Sequence, residues 1–213
     1  MTTTAAPISA PPQHVVLRDV SWETYELLLR DLDGQHLRLT YDRGTLEIMS
    51  PSVEHANIGK LIARMVEALT FERNIPLVGL SNATWRSQPL DRGLEADECY
   101  YLRHAHWAAG RSKIDLSTDP PPELAIEVDI SSSSLDKQAI YAALGVRELW
   151  RYENDLLTIL LLDGTRYRIA EQSECLPLLT PEVVRRFVHL RVTGATDTDI
   201  TRAFVDWLRQ QPA

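Results

Sequence analysis

Hydrophobic and polar residues recur along this chain with two periods, and the changes between them mark its elements. Tyr25, Leu28 and Leu29 repeat at helical spacing behind Ser21, a residue type that caps helices by accepting a hydrogen bond from an unpaired backbone N–H. The pattern predicts a helix that ends near Asp33-Gly34. HLRLTY and TLEIM then alternate with period two across Asp42-Arg43-Gly44, which predicts a hairpin because glycine supplies the positive φ of a tight turn. Over residues 52–73 helical spacing returns: Ile58, Leu61, Ile62, Met65, Val66 and Leu69 form one apolar stripe, with Ser52 as cap. Strand-like runs follow at 76–86, 96–102 and 123–130, the last preceded by Pro120-Pro121-Pro122, which can precede a ladder but not donate to one. A helix over 135–144, capped by Ser133 or Ser134 and stopped by Gly145, comes next. Strands at 147–152, 155–162 and 165–170 read as an antiparallel meander, and helices at 181–190 and 197–209 close the pattern.

Helices and strands are interspersed without strict βαβ repetition, so the predicted fold class is α/β in the broad sense: an α+β mixed sheet flanked by helices. Residues 1–13, rich in Thr, Ala and Pro, bury too little surface to offset their ordering entropy and are expected to form a disordered N-terminal arm. Residues 14–213 are expected to form one domain around a sizeable core, since 44% of the 213 residues are hydrophobic. The 22 basic and 30 acidic residues leave a net charge of −8, which excludes a long-range field that gathers nucleic acid. A phosphate-bearing partner must be met locally. Cys99 and Cys175 have neither metal-ligand spacing nor a disulfide framework, so a reducing, cytoplasmic location is expected. Neither a basic, apolar leader nor an uncharged apolar run of ~18 residues is seen, so a soluble protein is expected.

Charge changes the picture most in the strand LAIEVDI. Period two places Leu124, Ile126, Val128 and Ile130 on one face and Ala125, Glu127 and Asp129 on the other. Two carboxylates sharing a face repel and need compensation by solvent, a cation or a metal. Mg²⁺ takes one or two carboxylates while keeping several waters, and Asp97 in LEADECYYL is the candidate acid from a neighbouring strand. An exposed sheet edge is the other reading that periodicity leaves open. Lys137, one of only three lysines beside 19 arginines, falls in the first turn of the following helix, where the macrodipole disfavours a cation by roughly 0.3–1 kcal/mol. It is either a point charge wanted beside the acids or a surface lysine paired with Asp136. His55 continues the inward stripe of its helix, as a proton shuttle or as a hydrogen-bonded residue at the core's edge. Glu47 either shares the carboxylate side or faces solvent. RHAHWAAGRSK at 103–113 has the basic and aromatic mix that contacts a phosphate backbone, or is simply a solvated loop. No phosphate-cradling Gly-Lys-Ser/Thr loop, Gly-x-Ser-x-Gly elbow or Cys-His nucleophile pair is present.

The succession TLEIMSPSVEH, LEADECYYL and PPPELAIEVDISSSSLDKQAIYAALGVRELWRY resembles the Uma-type restriction endonuclease family, a branch of the PD-(D/E)XK nuclease superfamily, over residues 20–190. The resemblance implies a restriction-endonuclease-like mixed β-sheet flanked by helices, with divalent ions at the sheet. Its first acid matches Asp97 and its acid on the following strand matches Glu127. The superfamily lysine would fall two positions after Glu127, where this chain has Asp129, so the resemblance implies that the lysine has migrated to Lys137, four residues before Tyr141. Ala96 stands where the family has proline, and Glu123 where aspartate is more usual.

These readings combine into an expected Mg²⁺-dependent (Mn²⁺ as substitute) endonuclease acting on DNA. Asp97 and Glu127 would hold the ion, Lys137 would assist the water, and Asp129, His55 and Glu47 would support them. Asp129 is expected either as an extra ligand or as the salt-bridge partner of Lys137. A homodimer would join two basic patches in one groove. The alternatives are a non-catalytic dimeric scaffold that keeps the fold, and a metal-dependent hydrolase of small phosphate compounds.

Overall fold

The two periods resolve into two β-sheets with helices packed on them in a computed structural model that describes residues 14–81, 83–111, 113–129 and 134–212. The expected arm at 1–13, Ile130 and Ser133 lie outside the described residues.

The first sheet is antiparallel, in the order β1-β3-β2-β6-β5, from β1 (His14–Leu17), β2 (Arg38–Asp42), β3 (Thr45–Met49), β5 (Thr84–Ser87) and β6 (Arg92–Glu95). The second is mixed, in the order β11-β10-β9-β8-β7-β4, from β4 (Val78–Gly79), β7 (Glu98–Tyr101), β8 (Leu124–Asp129), β9 (Glu148–Glu153), β10 (Leu156–Asp163) and β11 (Arg166–Ala170). Its parallel pair is β8 with β9. The expected mixed sheet flanked by helices is therefore present, with an antiparallel sheet beside it. The run expected as a strand at 76–86 divides between the two sheets, and β1 and β6 add strands that local pattern did not predict. β6 is chosen by packing rather than propensity. Its Gly93 is required because a Cβ there would lie 2.3 Å from the hydroxyl oxygen of Tyr25.

Helices α1 (Trp22–Asp31) and α2 (Val53–Glu72) start where Ser21 and Ser52 accept from the backbone N–H groups of Thr24 and His55. The hairpin between β2 and β3 turns through Arg43 and Gly44, both at positive φ, as a turn matched to strand twist demands. A short α3 (Ala105–Ala108), α4 (Lys137–Ala143), α5 (Pro181–His189) and α6 (Asp197–Leu208) complete the α-helices among the described residues. α4 differs from expectation at its start. It is capped by Asp136, whose side chain accepts from Ala139 N at 3.1 Å, while Ser134 N donates instead to Glu47 Oε2 at 2.7 Å.

The stripe Leu61, Ile62, Met65, Val66 and Leu69 of α2 packs with Leu124, Ile126 and Val128 of β8 and with Phe187 and Phe204 of α5 and α6. Burying each such side chain is worth about 1.5–3 kcal/mol. On the other face of β8, Ala125 joins Ile140 and Tyr141 of α4 and Trp85 and Leu94 of the antiparallel sheet in a second core. A third, under α1, holds Trp22, Tyr25, Leu39, Tyr41 and Leu46. β8 is thus covered on both sides, and a charge on it must find its partner within the protein. Asp97 lies in the bend between β6 and β7, where the chain passes from one sheet to the other.

Candidate active site

The antiparallel register of β7 with β8 sets Glu98 opposite Ile126, and continuing it by one residue brings Asp97 opposite Glu127. Val128 N donates to Asp97 Oδ2 at 2.9 Å, which fixes the Asp97 carboxylate at the β8 backbone. His55, three residues inside α2, places Nε2 3.2 Å from the same oxygen, and Arg38 Nε on β2 is 3.7 Å from Oδ1. Glu127 is only 2% exposed. Lys137 Nζ lies 2.7 Å from its Oε2, and the Tyr141 hydroxyl donates to its Oε1. Lys137 and Tyr141 are one helical turn apart, so α4 presents both donors on the face turned to β8.

The structure thus brings Asp97, Glu127, Lys137 and His55 into one buried cluster. The exposed-edge reading of Glu127 fails because both faces of β8 are covered, and the surface-lysine reading fails because the Lys137 side chain is only 12% exposed. Asp136 caps the helix rather than pairing with Lys137. Asp129 departs from expectation. Its Oδ2 pairs with Arg151 Nε at 2.8 Å, so its salt bridge is to β9 and not to Lys137. Glu47 is buried at 2% exposure and anchors the segment leading into α4 through Ser134 N. In the 103–113 segment His104 pairs with Glu123 and the Arg111 guanidinium stacks 4.1 Å over the Trp107 ring, while Arg103, His106 and Lys113 are exposed.

The two acids are driven apart electrostatically. Burial alone would raise Asp97, but the contact and charge of His55, the charge of Lys137 and the Val128 N–H outweigh it and hold the carboxyl below its ordinary range. Glu127 moves up, because burial is the largest influence and the Asp97 charge adds to it, against the lowering effect of Lys137. Burial would lower Lys137, but Glu127, Asp97 and Asp129 raise it well above an ordinary lysine. An ammonium held in this way donates hydrogen bonds and stabilises negative charge; it does not serve as a general base. His55 also moves up, since Asp97 and Glu127 outweigh its burial. Tyr141 is pushed far up by burial and by Glu127, so its phenol stays a donor.

Among the described residues no three His, Cys, Asp or Glu side chains form a set that holds a metal by protein ligands alone. Two carboxylates completed by waters, the arrangement Mg²⁺ takes, do not require such a set. The donors here fit that ion. Asp97, in the bend before β7, and Glu127, on β8, offer hard carboxylate oxygens, and Asp97 Oδ1 faces Arg38 at a distance longer than a hydrogen bond. No thiolate lies among them to favour zinc.

Tyr141 and Arg38 were not assigned to the site from the sequence. Tyr141 carried a readable signal, its i+4 spacing from Lys137 on one helix face. Arg38 carried none, because its proximity to Asp97 arises from the pairing of β2 with β6, whose antiparallel register, continued, sets Arg38 opposite Ala96.

The fold and cluster define a class: a mixed α/β protein of restriction-endonuclease-like architecture, with an acid pair and a lysine gathered at the central strand of its mixed sheet. Residues 22–193 match the family described as "Uma2: Putative restriction endonuclease", and the chain belongs to that family. A search of curated proteins finds no match. Among solved structures, the chain is similar to the crystal structure of a putative nuclease belonging to DUF820 from Anabaena variabilis. The TM-score is 0.47 at 10% identity, over 78% of this chain and 90% of that one.

Proposed function

We propose that this protein is a Mg²⁺-dependent endonuclease, with Mn²⁺ as a substitute, that hydrolyses phosphodiester bonds in DNA. The observation that carries the reading is Lys137 Nζ at 2.7 Å from Glu127 Oε2, reached from the helix after the strand, with Asp97 opposite Glu127. Family membership supports the nuclease class. Asp97 and Glu127 would hold the ion, whose chemistry is to acidify a water and polarise a phosphoryl oxygen. Lys137, kept protonated by the two acids, donates to the attacking water or to the oxygen on which charge develops. Tyr141 holds the Glu127 carboxylate in place, and His55 at Asp97 is placed to relay a proton. Asp129, bound to Arg151, adds negative charge near Lys137 and helps keep it protonated. A homodimer belongs to the same proposal.

Purified protein incubated with supercoiled plasmid is expected to nick or linearise it with Mg²⁺ or Mn²⁺ and not with chelator. Asp97→Ala and Lys137→Ala should each abolish the reaction. Cleavage that survives both substitutions would reject the assignment of the site. A protein that neither cleaves any nucleic acid nor binds either metal would be the non-catalytic scaffold instead.

A further inference from the structure

The two sheets have four edge strands among the described residues, and three of them carry a feature that discourages pairing with another chain. β4 is two residues long, β5 carries Arg86 between the buried Trp85 and Ser87, and β11 carries Arg166 and Arg168. β1 (HVVL) holds no lysine, arginine, acid or proline, and after His14 it is apolar, with Val15 56% and Leu17 40% exposed. Among the described residues it pairs with β3 alone. That register fixes where its side chains point. Val15 and Leu17 stand opposite Ile48 and Leu46, on the face that packs under α1, and Val16 stands opposite Glu47, on the face that meets the start of α4 through Ser134 N. In the sequence before β1, Pro7, Pro11 and Pro12 have no N–H to give to a ladder, so the chain's own start is a poor match for this edge.

We propose that β1 pairs antiparallel with β1 of a second copy about a two-fold axis normal to the sheet, joining two five-stranded sheets into one continuous sheet. The inference rests on the homodimer of the proposed function and deepens it by naming the face and the register. Directly opposite residues of an antiparallel pair point to the same face, so such an axis sets Val16 opposite its own copy and Val15 opposite the partner's Leu17. Both exposed apolar side chains of each copy are then covered, and His14 and Arg18 fall at the ends of the ladder. An axis at Val15 would instead leave Leu17 facing Gln13. The edge is thus self-complementary, as a two-fold interface requires, which favours a second copy over an unlike strand. A two-fold normal to the sheet does not exchange its faces, so both copies carry α4 and its Lys137 on the same side of the joined sheet. A ladder this short falls below the ~1,200 Å² of a standard interface, so the expected dimer is reversible and populated at about 100 μM.

The test is sedimentation equilibrium of the full chain up to about 100 μM. Wild type should show a monomer–dimer equilibrium. Val15→Lys combined with Leu17→Lys, at exposed positions whose change should leave circular dichroism unaltered, sets like charges opposite each other and should weaken the dimer by ~tenfold or more. Phe71→Lys, at a side chain 81% exposed on α2, should leave the equilibrium as in wild type. Mild oxidation of Val16→Cys should give a disulfide-linked dimer, because directly opposite Cα atoms lie ~4.5–5.5 Å apart, within disulfide range. Val192→Cys, 77% exposed elsewhere on the surface, should give no more than wild type. A wild type that stays monomeric would overturn the inference together with the homodimer. A dimer that survives Val15→Lys with Leu17→Lys, a dimer lost in Phe71→Lys, or no more crosslinking of Val16→Cys than of Val192→Cys would overturn the β1 interface alone. Pairing through β1 in a protein that cleaves no plasmid would support the interface and overturn the nuclease reading alone.

Discussion

At the scale of single residues, Lys137 and Glu127 each favour the other's charged form in a place where burial opposes both. Glu127 has its two oxygens divided between Lys137 and Tyr141. Tyr141→Phe removes one of these donors without changing the ring's volume. A hydrogen bond to a charged group is worth roughly 1.5–3 kcal/mol. The expected result is a protein less stable by about that amount in urea denaturation, with plasmid cleavage much reduced and secondary structure unchanged by circular dichroism. Asp42 gives a pH-dependent counterpart away from the site. Burial would raise its pKa, but hydrogen bonds from Arg43 and Arg92 outweigh it and leave the carboxyl below its ordinary value. A depressed acid contributes stability that is fully present above its unfolded pKa of about 3.9 and is lost as pH falls through the folded value. Asp42→Asn should therefore be less stable than wild type in urea at pH 7, with the difference disappearing on acidification below that range. Glu127 and the basic Lys137 were legible in the sequence because like charges on one strand face and a cation at a helix start each break a local rule, and Asp97 was legible through the resemblance carried by LEADECYYL. The partner of Asp129 was not. Arg151 comes from the parallel neighbour β9, where it stands in register with Glu127 and reaches diagonally to Asp129.

At the scale of elements, α4 decides whether the site forms. Seven residues are too few for a helix to persist alone, so its placement depends on its ends and its packing. Asp136 caps the N-terminus, Gly145 follows it at φ +80°, and Arg92 of β6 donates to Ala139 O at 3.3 Å while paired with Asp42. The antiparallel sheet thus reaches across to the helix that carries Lys137, through Arg92 and through the Glu47–Ser134 contact. Asp136→Ala should cost about 1 kcal/mol in urea denaturation and lower cleavage, whereas Asp136→Asn, which also caps, should preserve both. Helices α1, α2, α5 and α6 and the hairpins were legible because apolar spacing and serine, proline and glycine punctuation agree there. The cap of α4 was not, since four serines and Asp136 all offer a suitable oxygen; it is Asp136 that caps the helix, while Ser134 gives its backbone N–H to Glu47. The separation of β6 from β7 into different sheets was also hidden. Only two residues lie between them, and the change of sheet is a tertiary event with no local signature.

At the scale of the whole molecule, the acid pair and lysine sit where two sheets and two helices meet, beside the bend between β6 and β7 that passes from sheet to sheet. That location explains how the cluster is buried yet adjoins a cleft beside Asp97. A negatively charged protein that acts on a polyanion must rely on close contacts, and divalent ion binding by Asp97 and Glu127 would be the first of them. The most direct test is a Mn²⁺ titration followed by electron paramagnetic resonance, on wild type, Asp97→Asn and Glu127→Gln. Saturable binding by wild type that is lost in both variants, with all three folded, is the predicted result. No binding by wild type, or binding that both variants retain unchanged, would contradict the account.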